Sequence, residues 1–169
     1  MKGHDLALGQ LFLVGFAGLS VDAGHPVVED ITRHGLGGVI LFDRALNGER
    51  QNIESPAQLS ALTATLQRHA RTPLLIAVDQ EGGRVCRLKE EDGFPPSPPA
   101  KLLGDGGDPG RPRRYAEQMA ASLAAASSRL AAGSCAAGGK AAVLPAPDAA
   151  ATFSRAAWIQ AWTLAKCRA

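Results

Sequence analysis

The sequence predicts an α/β fold in which helices pack against a parallel sheet. Three short, continuous apolar runs, at residues 11–14, 39–42 and 74–78, are typical of strands that are buried on both faces. Stretches with the apolar spacing of amphipathic helices separate and follow these runs. Because strand and helix alternate along the chain, we expect right-handed parallel units with their helices outside the sheet.

The first strand and its helix are defined by glycine and proline. The apolar run at 11–14 stops at Gly15, which marks the end of the strand. Pro26 suits the first turn of a helix, and Gly35 suits its left-handed C-terminal cap. The apolar residues between them share one face: Val27, Val28 and Ile31.

The second unit contains a complete helix start after the strand at 39–42. Ser55 is an N-cap residue, Pro56 fits the first helical position, and Gln58 stands where it closes a capping box. Pro73 ends this helix and introduces the third strand at 74–78. The predicted core face of the helix consists of Leu59, Leu62 and Leu66.

The third unit has a long loop before its helix. Residues 90–110 are rich in Pro, Gly and Asp, which favours a loop. We expect the helix to begin near Arg113, with one face formed by Tyr115, Met119, Leu123 and Leu130.

Composition changes after this helix. Nearly half of residues 121–151 are alanine. The charge also changes: after residue 120 the chain has five Lys and Arg and one Asp, whereas the chain before it is slightly acidic. We therefore predict two parts, an ordered domain at 6–126 and an aberrant Ala/Gly-rich tail at 127–169 that is disordered or read from a shifted frame.

Charge and cysteine content exclude several classes of protein. The net charge is +2, and the basic cluster at 111–114 has one aromatic neighbour, which argues against nucleic acid as a partner. Cys86, Cys135 and Cys167 are odd in number and far apart, so neither a disulfide framework nor a Cys-x-x-Cys site is expected. No histidine spacing indicates a metal, and no apolar run reaches membrane-spanning length. We expect a cytoplasmic protein that does not bind a membrane.

The segment at 79–88 directly follows the third strand and carries the chemistry. Ligands of parallel α/β sheets bind beyond the carboxyl ends of the strands, and Asp79 is the first residue there. A carboxylate accepts hydrogen bonds from two neighbouring hydroxyls, as recognition of a sugar diol requires.

The neighbouring polar residues allow more than one interpretation. In strand geometry Glu81 lies on the same side as Asp79, about 6–7 Å away, near the spacing of paired catalytic carboxylates. Alternatively Glu81 turns back to Arg84 or to the amides of the Gly82–Gly83 turn, because two glycines favour an early end of the strand. Arg87 is either a second sugar-binding group or an ion-pair partner of Glu90 or Glu91.

This segment resembles glycoside hydrolase family 3, most closely its β-N-acetylglucosaminidase-like branch, over residues 6–126. The matching residues lie at 9–16, 37–42, 52–53, 73–87 and 115–118, with Ser55, Pro56, Gln58 and Leu59. The resemblance implies a (β/α)8 barrel, here an incomplete TIM barrel of about three βα units. It also implies hydrolysis of terminal β-linked N-acetylglucosamine from cell-wall fragments, substrate binding by Asp79 and Arg87, and no metal or other cofactor.

The chain departs from the family's pattern after residue 126. The Arg-Ser-Phe segment, the Lys-His-Phe-Pro-Gly segment and the later nucleophilic Asp have no counterpart, so no catalytic residue is assigned. Pro145 and Asp148 have the spacing of a family motif, either by coincidence or as a displaced fourth strand.

Two functions follow from these departures. The first is a glycosidase-family chain that is truncated and inactive alone, whose missing C-terminal half is encoded downstream. The alternative is a non-catalytic carbohydrate-binding or regulatory remnant.

Overall fold

The computed structural model describes residues 8–105, 107–126 and 130–133, the last four by their backbone alone. Helices and strands alternate through this region, and the fold is of the mixed α/β class that the sequence predicts. The elements are β1 (Leu13–Gly15), α1 (Pro26–Arg33), β2 (Gly38–Leu41), α2 (Pro56–His69), β3 (Leu75–Gly82), β4 (Val85–Cys86), a 3-10 turn (Glu90–Asp92), α3 (Ala100–Gly104), α4 (Gly110–Ala126) and β5 (Leu130–Gly133).

Four of the strands form a parallel sheet in the order β1, β2, β3, β5. β3 is longer than its parallel neighbours, and its last residues pair with β4 in an antiparallel hairpin. The register places Leu41 opposite Val78, so the residues that follow β2 lie beside the second half of β3. The ends of these two strands therefore form one edge of the molecule.

One face of the sheet is covered by helices. Side chains alternate between the two faces of a strand, and every second residue of β2 and β3 points toward α1, α2 and α4. Burial of this apolar face is the main source of stability in such a layered arrangement. The shared core consists of Val39, Leu41, Ile76 and Val78 from the strands with Val27, Val28, Ile31, Leu59, Leu62, Leu66 and Leu123 from the helices.

The capping box of α2 differs in one contact from the expected pattern. Ser55 Oγ accepts a hydrogen bond from the Gln58 amide at 3.2 Å, as predicted. The Gln58 side chain accepts from the amide of Glu54 at 2.9 Å, one residue before the cap. Its amide nitrogen also donates to the carbonyl of Leu19. Gln58 thus joins the start of α2 to the loop after β1 as well as closing the cap.

Several boundaries differ from those expected from the sequence. β1 begins at Leu13, and Leu11 and Phe12 before it are exposed, because the backbone there turns before it joins the sheet. β3 extends to Gly82, four residues beyond the apolar run, because pairing with β4 continues its hydrogen bonds. The segment 90–110 contains a 3-10 turn and a short helix as well as loop.

The helix expected to run to Leu130 ends at Ala126. Ala126 is buried, and its carbonyl accepts a hydrogen bond of 2.9 Å from Thr63 Oγ1 of α2, which satisfies one of the carbonyls left free at a helix end. Leu130 instead begins β5, which pairs in parallel with β3. The sheet therefore has a fourth parallel strand that the sequence did not predict, whereas Pro145 and Asp148 lie outside the described residues.

Candidate functional site

Asp79 lies at the edge where β2 and β3 end, on the face of the sheet that α1, α2 and α4 leave uncovered. It follows Val78, which points into the core, so its own side chain points to the opposite face. The carboxylate is half-buried, and within the described residues it has no hydrogen-bond or ion-pair partner. A charged acceptor near the carboxyl end of a parallel strand is thus left without a side-chain contact from the described residues.

Glu81 lies at an irregularity of β3. The strand continues through Gly82, but its pairing with β4 shifts register between Gln80 and Gly82, so the regular alternation of side chains does not extend from Asp79 to Glu81. In the part of the chain that the structure describes, Glu81 contacts neither Arg84 nor the amides of Gly82 and Gly83, contrary to one of the two alternatives. Among the described residues, the side chains of Asp79 and Glu81 are therefore both without a partner.

The turn after Glu81 is formed by Gly82 and Gly83, whose φ angles are 80° and 61°. Both values lie in the left-handed region that glycine adopts most easily. A Cβ atom on Gly82 would collide with the backbone carbonyl of Pro98. The turn therefore packs closely against the loop at residues 95–99, the proline-rich loop. The amide of Gly83 also donates to the carbonyl of Ser97 at 3.1 Å. Residues 97–98 therefore hold this turn in place through close packing and one backbone hydrogen bond.

Gln80 organises the hairpin from the opposite face of β3. Its side-chain oxygen accepts hydrogen bonds from the amides of Arg87 and Leu88, both at 2.9 Å. Its side-chain nitrogen donates to the carbonyl of Leu88 at 3.1 Å and to Cys86 Sγ at 3.2 Å. The amide group is buried and fully bonded, so it holds the backbone of Arg87 in one position.

Arg87 is directed toward the end of β2, where Asp43 and Phe42 hold it. Its Nη1 atom donates to Asp43 Oδ1 at 3.2 Å, and its guanidinium carbon lies 5.5 Å from the centre of the Phe42 ring. This second contact has the geometry of a cation–π interaction. Neither Glu90 nor Glu91 pairs with Arg87 in the described part of the chain, so that alternative is wrong.

Asp43 is the buried anion of this cluster. Its side chain is 5% exposed, and its second oxygen accepts from Lys89 Nζ at 2.8 Å. Burial alone would raise the pKa of Asp43, but the hydrogen bonds and charges of Lys89 and Arg87 together outweigh burial and hold the pKa below its ordinary value. One carboxylate thus pairs with two cations, and Lys89 Nζ also lies 3.8 Å from Glu91 Oε1, so the two cations and two anions balance.

Sequence reasoning missed Asp43, Gln80 and Lys89. Gln80 in β3, and Asp43 two residues after β2, continue the alternation of core residues in their strands, and a polar residue in such a position is a signal of a buried polar contact. Which partner it meets depends on the pairing of β2 with the β3–β4 hairpin, which the sequence alone does not supply.

A second concave region lies between the proline-rich loop and α4. It encloses about 470 Å³ and is bordered by Pro96, Ser97, Pro98, Tyr115 and Gln118 among others. Ser97 Oγ and Tyr115 OH are 2.5 Å apart, and burial raises the pKa of Tyr115. None of the residues that border this region belongs to the edge that carries Asp79 and Arg87.

Among residues 8–105 and 107–126, no group of three or more His, Cys, Asp and Glu side chains is arranged to hold a metal ion. Nor does a helix in these ranges have the length and apolar character needed to cross a membrane.

Comparison with known proteins gives matches over the described region. The residue pattern of the family described as "Glycosyl hydrolase family 3 N terminal domain" matches residues 4–131. A curated relative, "Beta-hexosaminidase" of Nitrosomonas eutropha, is 51% identical over 85 residues, which are 50% of this chain and 20% of the relative. A second, from Methylobacillus flagellatus, is 48% identical over 57% of this chain and 27% of its own length. The chain therefore spans about a quarter or less of these relatives.

A solved structure has the same arrangement of elements. The glycoside hydrolase family 3 β-N-acetylglucosaminidase from Paenibacillus sp. str. FPU-7 superposes with a TM-score of 0.64 at 34% identity. The superposition covers 75% of this chain and 23% of that protein.

Proposed function

This chain belongs to the glycosyl hydrolase family 3 N-terminal domain family, and we propose that it forms the substrate-binding part of a glycosidase acting on terminal β-linked N-acetylglucosamine. The observation that carries the proposal is the carboxylate of Asp79, which stands without a partner at the end of β3 among the described residues. A half-buried carboxylate that has no side-chain partner among the described residues is suited to a neutral ligand with several hydroxyl groups. The substrate named here comes from the relatives.

We propose that the sheet is the first part of a (β/α)8 barrel. Four parallel strands, with helices α1, α2 and α4 on one face, are the repeating pattern of such a barrel. In that arrangement the uncovered face, which carries Asp79, would be the interior. The division into residues 6–126 and 127–169 stays a prediction, and β5 lies at the start of the second part.

We assign the roles within the site as follows. Asp79 accepts hydrogen bonds from two sugar hydroxyls. Arg87 donates through those N–H groups of its guanidinium that are not bonded to Asp43. The family's catalytic nucleophile and acid/base are assigned to no residue of this chain, because the motifs that carry them are absent from the sequence. The 169 residues alone should therefore bind the sugar without cleaving it.

The test measures cleavage and binding separately. The purified chain is incubated with an aryl N-acetyl-β-glucosaminide, and we expect no release of the aryl group above the buffer rate, because loss of a nucleophile typically costs several orders of magnitude. N-acetylglucosamine is then titrated into the ¹⁵N-labelled chain, and we expect shifts of the Asp79 and Arg87 amide signals. Cleavage at ordinary glycosidase rates, or saturating shifts elsewhere only, would contradict these assignments.

A non-catalytic carbohydrate-binding or regulatory role is the second candidate. It is favoured by the combination of an ordered edge around Asp79 with a sequence that lacks the catalytic motifs. A compact monomer that binds N-acetylglucosamine would favour this role. Restored cleavage when the C-terminal part of a relative is added would favour the enzyme fragment instead.

The location in the cell is also a proposal. We place the protein in the cytoplasm, because its three cysteines are odd in number and widely spaced, as in proteins of a reducing compartment. Neither nucleic acid nor a membrane is proposed as a partner.

A further inference from the structure

We infer that Asp43 is a positioning residue, which holds the guanidinium of Arg87 at the edge of the site while leaving most of its donors available to a ligand. The inference rests on the proposed sugar-binding role of Arg87. Three groups hold this residue: Gln80 of β3 accepts from its backbone amide, and Asp43 and Phe42, which follow β2, contact its guanidinium.

The backbone and the guanidinium of Arg87 are held separately. Gln80 accepts from the Arg87 amide at 2.9 Å, so the start of the side chain has a fixed position. At the other end, Asp43 accepts from Nη1 while the ring of Phe42 lies 5.5 Å below the guanidinium. A side chain fixed at both ends loses little conformational freedom when it binds a ligand.

The contact with Asp43 uses one nitrogen of Arg87. A guanidinium and a carboxylate commonly form two parallel hydrogen bonds, but here Lys89 Nζ occupies Asp43 Oδ2 at 2.8 Å. Arg87 is left with Oδ1 at 3.2 Å, and its buried Nε atom has no hydrogen-bond partner among the described residues. Lys89 thereby takes up the oxygen that a paired contact with Arg87 would also use.

The exposure of the cluster agrees with this assignment. Asp43 pairs with both cations, and Lys89 Nζ also lies 3.8 Å from Glu91 Oε1. Both cations are partly exposed, Arg87 at 27% and Lys89 at 31% of their side chains, whereas Asp43 is 5% exposed. Arg87 is therefore a partly exposed cation that a buried anion holds in place.

The experiment follows the Nε–H signal of Arg87 in the full chain by ¹H–¹⁵N NMR, after assignment from its loss in Arg87→Lys. In the wild type we expect a sharp signal with slow hydrogen exchange, because the atom is buried. In Asp43→Asn we expect exchange about tenfold faster. The affinity for N-acetylglucosamine should fall about fivefold, since a charge-assisted contact is lost.

Two further variants separate positioning from general loss of structure. Asp108→Asn removes a carboxylate that pairs with Arg114 at the surface, and it should change neither the Arg87 signal nor the affinity. Lys89→Met keeps an apolar stem of similar length. It should leave the Arg87 signal protected and weaken sugar binding about threefold, because Arg87 can then form two bonds to Asp43.

Each outcome decides one statement. Unchanged exchange of the Arg87 Nε–H in Asp43→Asn would overturn the inference, whether or not sugar binds. Unchanged affinity in Lys89→Met would overturn the role given to Lys89. If the wild type does not bind N-acetylglucosamine, the proposed function fails, and the Arg87 signal alone then decides whether Asp43 holds the guanidinium. Should Asp43→Asn not fold, Asp43→Glu is measured in its place, with the same expected direction.

Discussion

The carboxyl-terminal ends of β2 and β3 lie side by side, and an aspartate lies near each of them. Just after β2, Asp43 is buried and paired with two cations, and the loop beyond it is exposed. In the second half of β3, the side chain of Asp79 has no partner among the described residues, and the turn at the end of the strand is packed against residues 97–98. A carboxylate that the fold itself neutralises contributes to stability, whereas one that the fold leaves unpaired is available for a ligand.

The largest expected difference between the two regions is the effect on stability of replacing a glycine in each turn. Gly48 and Gly82 have similar positive φ angles of 85° and 80°, but a Cβ on Gly48 meets nothing within 4 Å whereas one on Gly82 meets the Pro98 carbonyl. Gly82→Ala should lower the free energy of unfolding by about 3 kcal/mol, and Gly48→Ala by about 1 kcal/mol. Urea denaturation measures both. Equal losses would mean that the turn after β3 is not held by the proline-rich loop.

The two aspartates supply the next test. Asp43→Ala leaves Arg87 and Lys89 without their common anion and should lower the free energy of unfolding by about 2 kcal/mol, less than for a fully buried pair because both cations are partly exposed. Asp79→Ala breaks no contact among the described residues and should change it by no more than about 0.5 kcal/mol. Comparable losses in urea denaturation would refute the distinction between the two residues.

For ligand binding we expect the change at Asp79 to have the larger effect, the reverse of the order expected for stability. Asp79→Ala should weaken binding of N-acetylglucosamine roughly ten- to hundredfold, because hydrogen bonds to a charged group contribute about 1.5 to 3 kcal/mol each. Glu81→Gln, two residues further along β3, should cost less. NMR titration of the full chain compares them, with Asp108→Asn as an exposed control. Nearly unchanged binding in Asp79→Ala together with loss of binding in Glu81→Gln would transfer the main role to Glu81.

The smallest effect concerns pH. The pKa of Asp43 is lowered in the folded chain, so the stability that its charge provides is present above the ordinary pKa of aspartate, about 3.9, and is lost as the pH falls through the lower folded value. The difference in unfolding free energy between wild type and Asp43→Asn should be constant between about pH 5 and 7 and should shrink below about pH 4. A difference that does not change across this range would show that the charge of Asp43 contributes nothing.

The sequence predicts the fold class and the position of Asp79 because both depend on local patterns. Apolar runs ending at glycine, and the Ser55 cap, are read without knowledge of the neighbours. One of the two alternatives for Arg87, an ion pair with Glu90 or Glu91, is wrong because those residues are near in sequence whereas Asp43 is near in space. The strand β5 was assigned to a helix because Leu130 continues the spacing of α4, while the buried end at Ala126 is decided by contact with α2.

The exposed loop after β2 has a consequence for cleavage of the chain by proteases. Leu46 is fully exposed, and this loop closes through short contacts such as the one between the amide of Ala45 and the carbonyl of Glu49. Proteases cut preferentially at such loop tips. A cut there would leave Asp43 on one fragment and Arg87 on the other, with the ion pair and the parallel pairing of β2 with β3 still joining them. The edge that carries Asp79 would then survive as a nicked, non-covalent assembly.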